Sequence, residues 1–296
     1  MPSQDSTSLI VLDDLSSVDI RDVIDQAERR LGRGLKREAA HYSRFNGTAG
    51  FRTDAHTWVR LSFRRATRID VPSWTGAEEA AAILSGVPKP VWIAAATWFD
   101  PGRDVVWKAE ETSLAPSGAV SVGADLVEEP CLPESWWAAL RNGLDSLAAH
   151  TTNRVALEQG HLSRRVREVY GADVDTRVPG DAWACAHGDL GYANLTGPEL
   201  VLLDWESWGM APIGWDAACL WASSLGVPEV ADRVVEEFAE QLVTRSGLLC
   251  RLLLCANVAR ATLRSKKELP LTGIMARTAE TLLSELARSD GHGLNR

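Results

Sequence analysis

Hydrophobic residues in the first third of the chain recur first with a helical and then with an alternating period. From Ser17 to Leu31 apolar residues lie three or four positions apart before Gly32, which predicts a helix capped by Ser17. From Thr57 to Arg64 every second residue is apolar, which predicts a strand with one apolar face. The preceding stretch Asn46-Gly-Thr-Ala-Gly50 is typical of a hairpin turn.

A short helix and two further strands complete the predicted first part. Thr75 to Leu84 is rich in strong helix formers and is followed by Gly86 and Pro88, which end helices. The strand-like segments 91–97 and 104–110 are joined by Asp100-Pro-Gly, a turn sequence. Residues 1–112 are therefore predicted to form a small, mostly antiparallel sheet that carries one helix.

A helical period dominates after the polar stretch 113–133, so residues 113–296 are predicted to form a mostly helical second domain. The exception is 182–206, where two short apolar runs, 182–186 and 200–203, flank a polar loop and predict two short strands. The predicted helices cover residues 134–150, 154–170, 217–225, 229–246 and a long final region, 248–288.

The composition is that of an ordinary globular chain, with 45% hydrophobic and 24% charged residues. We expect no export signal in the first 20 residues and no membrane span, since no stretch approaches the roughly 20 apolar residues that a span needs. The five cysteines form no Cys-x-x-Cys pair, which favours reduced thiols over a disulfide framework or a zinc site. We therefore expect a cytoplasmic protein without a membrane segment.

The net charge of −9 argues against nucleic acid as a partner, since duplex binding needs a concentrated cationic surface. The charge is uneven: the first 70 residues carry 12 basic against 10 acidic residues, and the remaining 226 carry 19 against 30. This asymmetry is compatible with an anion bound by the first part and a cationic substrate bound by the second. A chance distribution of surface charge explains it equally well.

The stretch that carries candidate chemistry is His187-Gly-Asp-Leu-Gly-Tyr-Ala-Asn194, followed by Leu-Leu-Asp204-Trp-Glu. Carboxylate and amide oxygens are the hard ligands that magnesium prefers. A carboxylate on a loop between two short strands can also accept a proton from an alcohol held above it. Phosphoryl transfer needs little more than this positioning, a metal and cations that neutralise the phosphate oxygens.

The spacing of Asp189, Asn194 and Asp204 is that of kinase-type catalytic machinery. The His-Gly-Asp stretch with the later Leu-Asp-Trp-Glu resembles the aminoglycoside phosphotransferase family, which shares the bilobal, α+β protein-kinase-like fold with choline kinases. The resemblance implies a phosphotransferase that uses ATP or GTP and magnesium to phosphorylate a hydroxyl of a small molecule, an antibiotic or a metabolite. It also implies that Asp189 is the catalytic base, that Asn194 and Asp204 hold magnesium, and that Asp216 braces the catalytic loop.

The resemblance also implies a strand lysine that reaches the nucleotide phosphates and pairs with a helix glutamate. In this chain Arg60 stands on the corresponding strand, with Glu79 as its expected partner and Glu78 as the alternative. A solvated strand face would equally explain Arg60. Lys108 is the other candidate phosphate contact, although a solvated lysine is the more common situation at the end of a strand.

The strand that leads out of the first domain is expected to hold the adenine, because in this fold its backbone offers N–H and C=O groups to the base. We assign this contact to Ala109, Glu110, Glu111 and Thr112. The alternative function is that of a pseudokinase-like protein that binds a nucleotide or a partner without turnover. The missing strand lysine favours that alternative, whereas the intact Asp189, Asn194 and Asp204 favour the enzyme.

Overall fold

The computed structural model describes residues 14–43 and 47–293, with side chains described up to residue 288. The described chain divides into two compact units: residues up to Trp74 with Pro90–Ala115, and Thr75–Lys89 with the residues from Pro116 onward. The boundary predicted between residues 112 and 113 lies three residues later. Residues 75–89 also join the second unit, because Ala80, Leu84 and Val87 are buried in its core.

The first unit is built on an antiparallel sheet of five strands in the order β1-β2-β3-β5-β4. Its predicted strands are confirmed, and the last two extend to Asp100 and Ser113, beyond their expected ends. Asn46, at the start of the predicted hairpin turn, lies outside the described residues. The strands are His41–Tyr42 (β1), Thr48–Arg52 (β2), Thr57–Arg64 (β3), Trp92–Asp100 (β4) and Val105–Ser113 (β5).

One face of this sheet forms the core of the first unit, because alternate residues of each strand point to the same side. The helix Arg21–Leu31 (α1) packs on β4 and β5 and closes that core. It begins at Arg21, three residues later than a cap at Ser17 predicts, and ends before Gly32 as expected. The strand residues buried beneath it are Phe51, Val59, Leu61, Trp98, Trp107 and Ala109.

The second unit is mostly helical, with one sheet of two strands, Trp183–Ala186 (β6) and Gly209–Pro212 (β7). The first of the two predicted strands is confirmed, but its partner is β7. The run at 200–203 makes only an isolated bridge, between Leu195 and Leu202. The helices are Val71–Ile83 (α2, in this unit from Thr75 on), Glu134–Ala148 (α3), Gln159–Tyr170 (α4), Trp215–Ser224 (α5), Pro228–Glu237 (α6), Ala239–Leu242 (α7), Arg245–Ser265 (α8) and Thr272–Gly293 (α9).

The long final region is two helices, α8 and α9, since Lys266 takes a left-handed backbone conformation with φ of 53° between them. Within the part of the chain that the structure describes, α8 alone is long and apolar enough to cross a membrane. Half of its apolar window is buried, and the helix packs against α4, α5 and α9. Such burial is the pattern of a core helix in a globular domain.

Candidate active site

A buried carboxylate holds the loop that carries the candidate base. Asp216, the second residue of α5, accepts hydrogen bonds from the backbone N–H groups of His187 and Gly188 at 2.7 and 3.0 Å. Burial raises the pKa of Asp216 above its ordinary value, and the neighbouring His187 opposes this. The pairing of β6 with β7 brings the start of α5 beneath the loop. The prediction that Asp216 braces this loop is confirmed.

His187 and Gly188 shape the loop through packing and backbone conformation. The His187 ring is fully buried, lies 4.8 Å from the Trp205 ring, and donates from Nε2 to the Leu203 carbonyl at 2.7 Å. Gly188 has φ of +88°, and an added Cβ would lie 2.3 Å from the Ser207 carbonyl oxygen. A residue with a side chain is excluded there by both conformation and space.

Hydrogen bonds connect the segments that carry the three predicted site residues, Asp189, Asn194 and Asp204. The Asn194 side-chain NH₂ donates to the Asp189 carbonyl at 2.8 Å, and the Leu203 N–H donates to the Asn194 carbonyl at 2.8 Å. Asp204 follows directly, with φ of +60°, a conformation that is uncommon for residues other than glycine. Asp189 is exposed, so its carboxylate is accessible to a substrate hydroxyl.

The side-chain oxygen atoms of Asn194 and Asp204 fit a divalent cation whose other ligands include phosphate oxygens. The NH₂ group of Asn194 is used in its bond to the loop, which leaves the amide oxygen as the ligand atom of this side chain. Among the described residues no group of three or more His, Cys, Asp or Glu side chains could hold a metal ion alone. Magnesium is commonly held by one or two protein oxygens, with phosphate oxygens and water completing its six positions.

Glu79 has partners in the second unit that the sequence did not indicate. Its carboxylate accepts from Arg154 Nη1 at 3.0 Å and from the Thr75 hydroxyl. These two hydrogen bonds, the one from Thr75 first, hold the pKa of Glu79 below its ordinary value. Within the second unit Glu79 thus forms an ion pair with a residue 75 positions away. No local motif marks Arg154.

The first unit brings Arg60 next to a buried ion pair. Arg60 is half-buried on β3, directly opposite Glu110 of β5, and opposite residues share a face of the sheet. Lys108 lies on that same face, two positions from Glu110, and its Nζ is 2.6 Å from Glu110 Oε1. Lys108 also donates to the Trp74 carbonyl and is 5% exposed. It is therefore buried, contrary to the solvated lysine expected at this position.

The adenine contact predicted along Ala109 to Thr112 does not fit the observed sheet. These residues lie in β5, which is paired with β3 on one side and β4 on the other, so the ladder uses their backbone groups. The side chain of Glu111 is also engaged, accepting from Arg33 and from Thr57 at 2.8 and 2.6 Å. The prediction is wrong at these positions because β5 is a central strand and continues to Ser113.

Helix α2 approaches the backbone that follows Asp204 so closely that only glycine fits at position 76. A Cβ on Gly76 would lie 2.3 Å from the Trp205 carbonyl oxygen and 2.8 Å from Glu206 Cα. The Trp208 indole N–H donates to the Gly76 carbonyl at 2.8 Å. Helix α2 and the segment after Asp204 are thus in direct backbone contact.

The substitution Gly76→Ala is expected to destabilise the protein by about 1–3 kcal/mol, because overpacking outweighs the higher helix propensity of alanine. Gly160→Ala in α4 is the matched control, since nothing lies within 4 Å of its added Cβ. That control should be neutral or stabilise by up to about 1 kcal/mol. Urea denaturation of both variants measures the difference, and equal effects would contradict the close approach.

The chain is similar to known proteins in its three-dimensional structure, whereas comparisons of its sequence find no match. No family model matches the chain, and no curated protein matches its sequence. Amicoumacin kinase hAmiN, solved with AMP-PNP, Ca²⁺ and Ami, superposes with a TM-score of 0.54 at 11% identity, covering 92% of this chain and 95% of that one. Choline kinase LicA from Streptococcus pneumoniae gives 0.53 at 12% identity, covering 92% and 100%. Aminoglycoside-3'-phosphotransferase of type VIII gives 0.50 at 18% identity, covering 78% and 97%.

These likenesses confirm the predicted fold class. The chain has the bilobal, α+β protein-kinase-like fold of small-molecule kinases, with an antiparallel sheet of five strands in one unit and a mostly helical second unit. The structural likeness covers 78–92% of this chain.

Proposed function

We propose that this protein is a kinase that transfers the terminal phosphoryl group of ATP or GTP to a hydroxyl of a small molecule. The observation that carries the proposal is the connected arrangement of Asp189 and Asn194, on a loop braced by Asp216, with Asp204, which follows the segment that this loop contacts. Structural neighbours named as kinases of amicoumacin, aminoglycosides and choline support the reaction class. A fold alone does not determine activity, so the proposal rests on the site.

Asp189 is the proposed catalytic base. Its exposed carboxylate orients the acceptor hydroxyl and takes its proton as the new O–P bond forms and the bond between the β- and γ-phosphates breaks. Nucleoside diphosphate leaves with the electron pair of the broken bond. Asn194 and Asp204 would hold a magnesium ion on the phosphates, where it supplies neutralisation of the developing negative charge.

The phosphate contact of the first unit is assigned to the face that carries Arg60 and Lys108. Arginine neutralises phosphate oxygens as lysine does, but through a wider planar group with several donors. The buried Glu110 lies opposite Arg60 and pairs with Lys108, so it is the carboxylate that accompanies these two cations on this face.

The acceptor is proposed to be a hydroxylated amine. Residues 71–296 carry 30 acidic against 19 basic residues, so the second part of the chain attracts cations. An antibiotic and a metabolite both belong to this chemical class, and the proposal covers both. The acidic balance is the observation that supports a cationic acceptor.

Calorimetric titration with ATP and with GTP, each with and without magnesium, tests the nucleotide site. The parent should bind in a magnesium-dependent manner, and Asp204→Ala should remove the dependence because one of two protein ligands of the metal is lost. Asp232→Ala, an exposed aspartate on α6, is the matched control and should titrate as the parent does. Equal magnesium dependence in Asp204→Ala would remove Asp204 from the metal site.

The absence of a lysine on β3 favours one alternative, a pseudokinase-like protein that binds a nucleotide or a partner without turnover. ADP release in the presence of a panel of hydroxylated amines distinguishes the two functions. Magnesium-dependent binding with ADP release above the rate without acceptor supports the kinase. Binding without acceptor-dependent ADP release supports the alternative.

A further inference from the structure

The segment 204–209, which we call the Asp204 turn, is enclosed by three parts of the second unit. Gly76 of α2 meets the Trp205 carbonyl, Gly188 of the catalytic loop meets the Ser207 carbonyl, and Gly209 meets the backbone of Arg154. Two carbonyls of this turn point instead toward one side chain, that of Arg154. The position of Asp204 therefore depends on what holds the turn that follows it.

Arg154 binds the Asp204 turn with all three of its guanidinium nitrogens accounted for. Its Nε donates to the Trp208 carbonyl and its Nη2 to the Glu206 carbonyl, both at 3.0 Å. Its Nη1 donates to Glu79 Oε2 at 3.0 Å, and its Cζ lies over the Trp208 ring, 4.7 Å from the ring centroid. The side chain is 8% exposed.

A surface role does not explain these contacts. A buried guanidinium is costly unless it is paired and hydrogen-bonded, and here a carboxylate and two carbonyls supply the partners. The carbonyls belong to residues two and four positions after Asp204, so each hydrogen bond restricts the backbone that sets the direction of the Asp204 side chain. Glu79 balances the positive charge of Arg154 and links this side chain to α2.

We infer that Arg154, with Glu79 as its counter-charge, is a positioning residue that holds Asp204 in the orientation needed to bind the metal. This inference rests on the proposed function, which makes Asp204 a metal ligand. Groups that orient a metal ligand typically change metal affinity by about 10- to 100-fold when they are altered. Arg154 acts through the turn and has no contact with the substrate in this role.

The shape of arginine is essential to the arrangement, which suggests the variants to use. Lysine retains the charge but offers one nitrogen, which cannot reach two carbonyls and a carboxylate as a planar fork does. Arg154→Lys thus removes the geometry while keeping a cation beside Glu79. Glu79→Gln keeps an acceptor for Nη1 and removes the counter-charge; this side chain is 40% exposed, so the fold is expected to tolerate the change.

Arg245→Lys is the matched control. Arg245 also donates to two backbone carbonyls, those of Arg177 and Asp175, and pairs with the Asp175 carboxylate at 2.9 Å. It lies at the start of α8 and contacts a different loop of the second unit. An effect that comes only from losing the hydrogen bonds of an arginine side chain to backbone carbonyls would appear in both variants.

The experiment combines hydrogen exchange, read by mass spectrometry on peptides covering 204–210, with calorimetric titration of ATP with and without magnesium. Arg154→Lys should speed exchange in those peptides about tenfold or more and weaken magnesium-dependent ATP binding by about 10- to 100-fold. Binding of ATP without magnesium should stay within twofold of the parent. Glu79→Gln should shift both quantities in the same direction by a smaller factor, and Arg245→Lys should change neither.

Unchanged exchange of the 204–210 peptides in Arg154→Lys would overturn the inference, since Arg154 would not hold the turn. Faster exchange with unchanged magnesium dependence would overturn it as well, since the turn would not position a metal ligand. If the parent itself lacks magnesium-dependent binding, the proposed function fails and the positioning role fails with it. Failure of the positioning role and failure of the proposed function are distinguishable, because only failure of the proposed function leaves the parent without magnesium-dependent ATP binding.

Discussion

Asp189→Asn is expected to lower kcat by about 10²- to 10⁴-fold, the usual contribution of a general base. The amide cannot take the proton of the acceptor hydroxyl, while the backbone carbonyl of residue 189 still accepts from the Asn194 side chain. The loop should therefore keep its shape. ADP release with a responsive acceptor measures kcat, and calorimetry with magnesium and ATP should give an affinity within about twofold of the parent.

Asp181→Asn is the control for this change, because Asp181 is also exposed and precedes β6 by two residues. It should retain the parent's kcat. A loss of ATP affinity in Asp189→Asn that matches the loss of kcat would assign Asp189 to nucleotide binding. Undiminished turnover would remove it from the reaction altogether.

Asp216→Asn is expected to lower the free energy of unfolding by about 2–5 kcal/mol. The carboxylate accepts from two backbone N–H groups of the catalytic loop, at 2.7 and 3.0 Å, in a buried position. An amide presents one oxygen and one NH₂ group, so one of the two loop N–H groups loses its acceptor and faces a donor. A buried donor without an acceptor costs its full desolvation free energy.

Urea denaturation measures this effect, and Asp232→Asn on the exposed side of α6 should change the free energy of unfolding by less than about 0.5 kcal/mol. The surviving folded fraction of Asp216→Asn should also have reduced turnover, because the loop that carries Asp189 loses one of its two hydrogen bonds to α5. Parent-like stability would show that these two hydrogen bonds do not hold the loop.

Most elements of the fold were determined by local sequence pattern. The alternation from Thr57 to Arg64 predicted β3, and the helical periods predicted α1 and α3 to within a few residues, because side-chain periods of two and 3.6 follow directly from backbone geometry. The partner of β6 was not predictable in this way. The run 200–203 and the segment Gly209–Pro212 are both apolar, and only the packing of the second unit decides that the latter pairs with β6.

The candidate catalytic stretch was also determined by the sequence, since its residues are close along the chain. Asp189 and Asn194 lie on one loop, and Asp204 follows the short segment that the loop contacts, so their spacing already restricts how they can meet. The bracing role of Asp216 followed from its place in the motif. These assignments needed only local geometry together with the resemblance to a known family.

The pairing of charged side chains was decided by tertiary structure. Glu79 and Arg154 are 75 positions apart, and Lys108 is buried against Glu110 and Trp74 rather than solvated. Residues 109–112 were predicted to offer their backbone groups to adenine, but they lie in β5, where those groups pair with β3 and β4. A charge pattern shows which side chains can attract one another, but burial and distance select the partner, and both arise only when distant segments pack together.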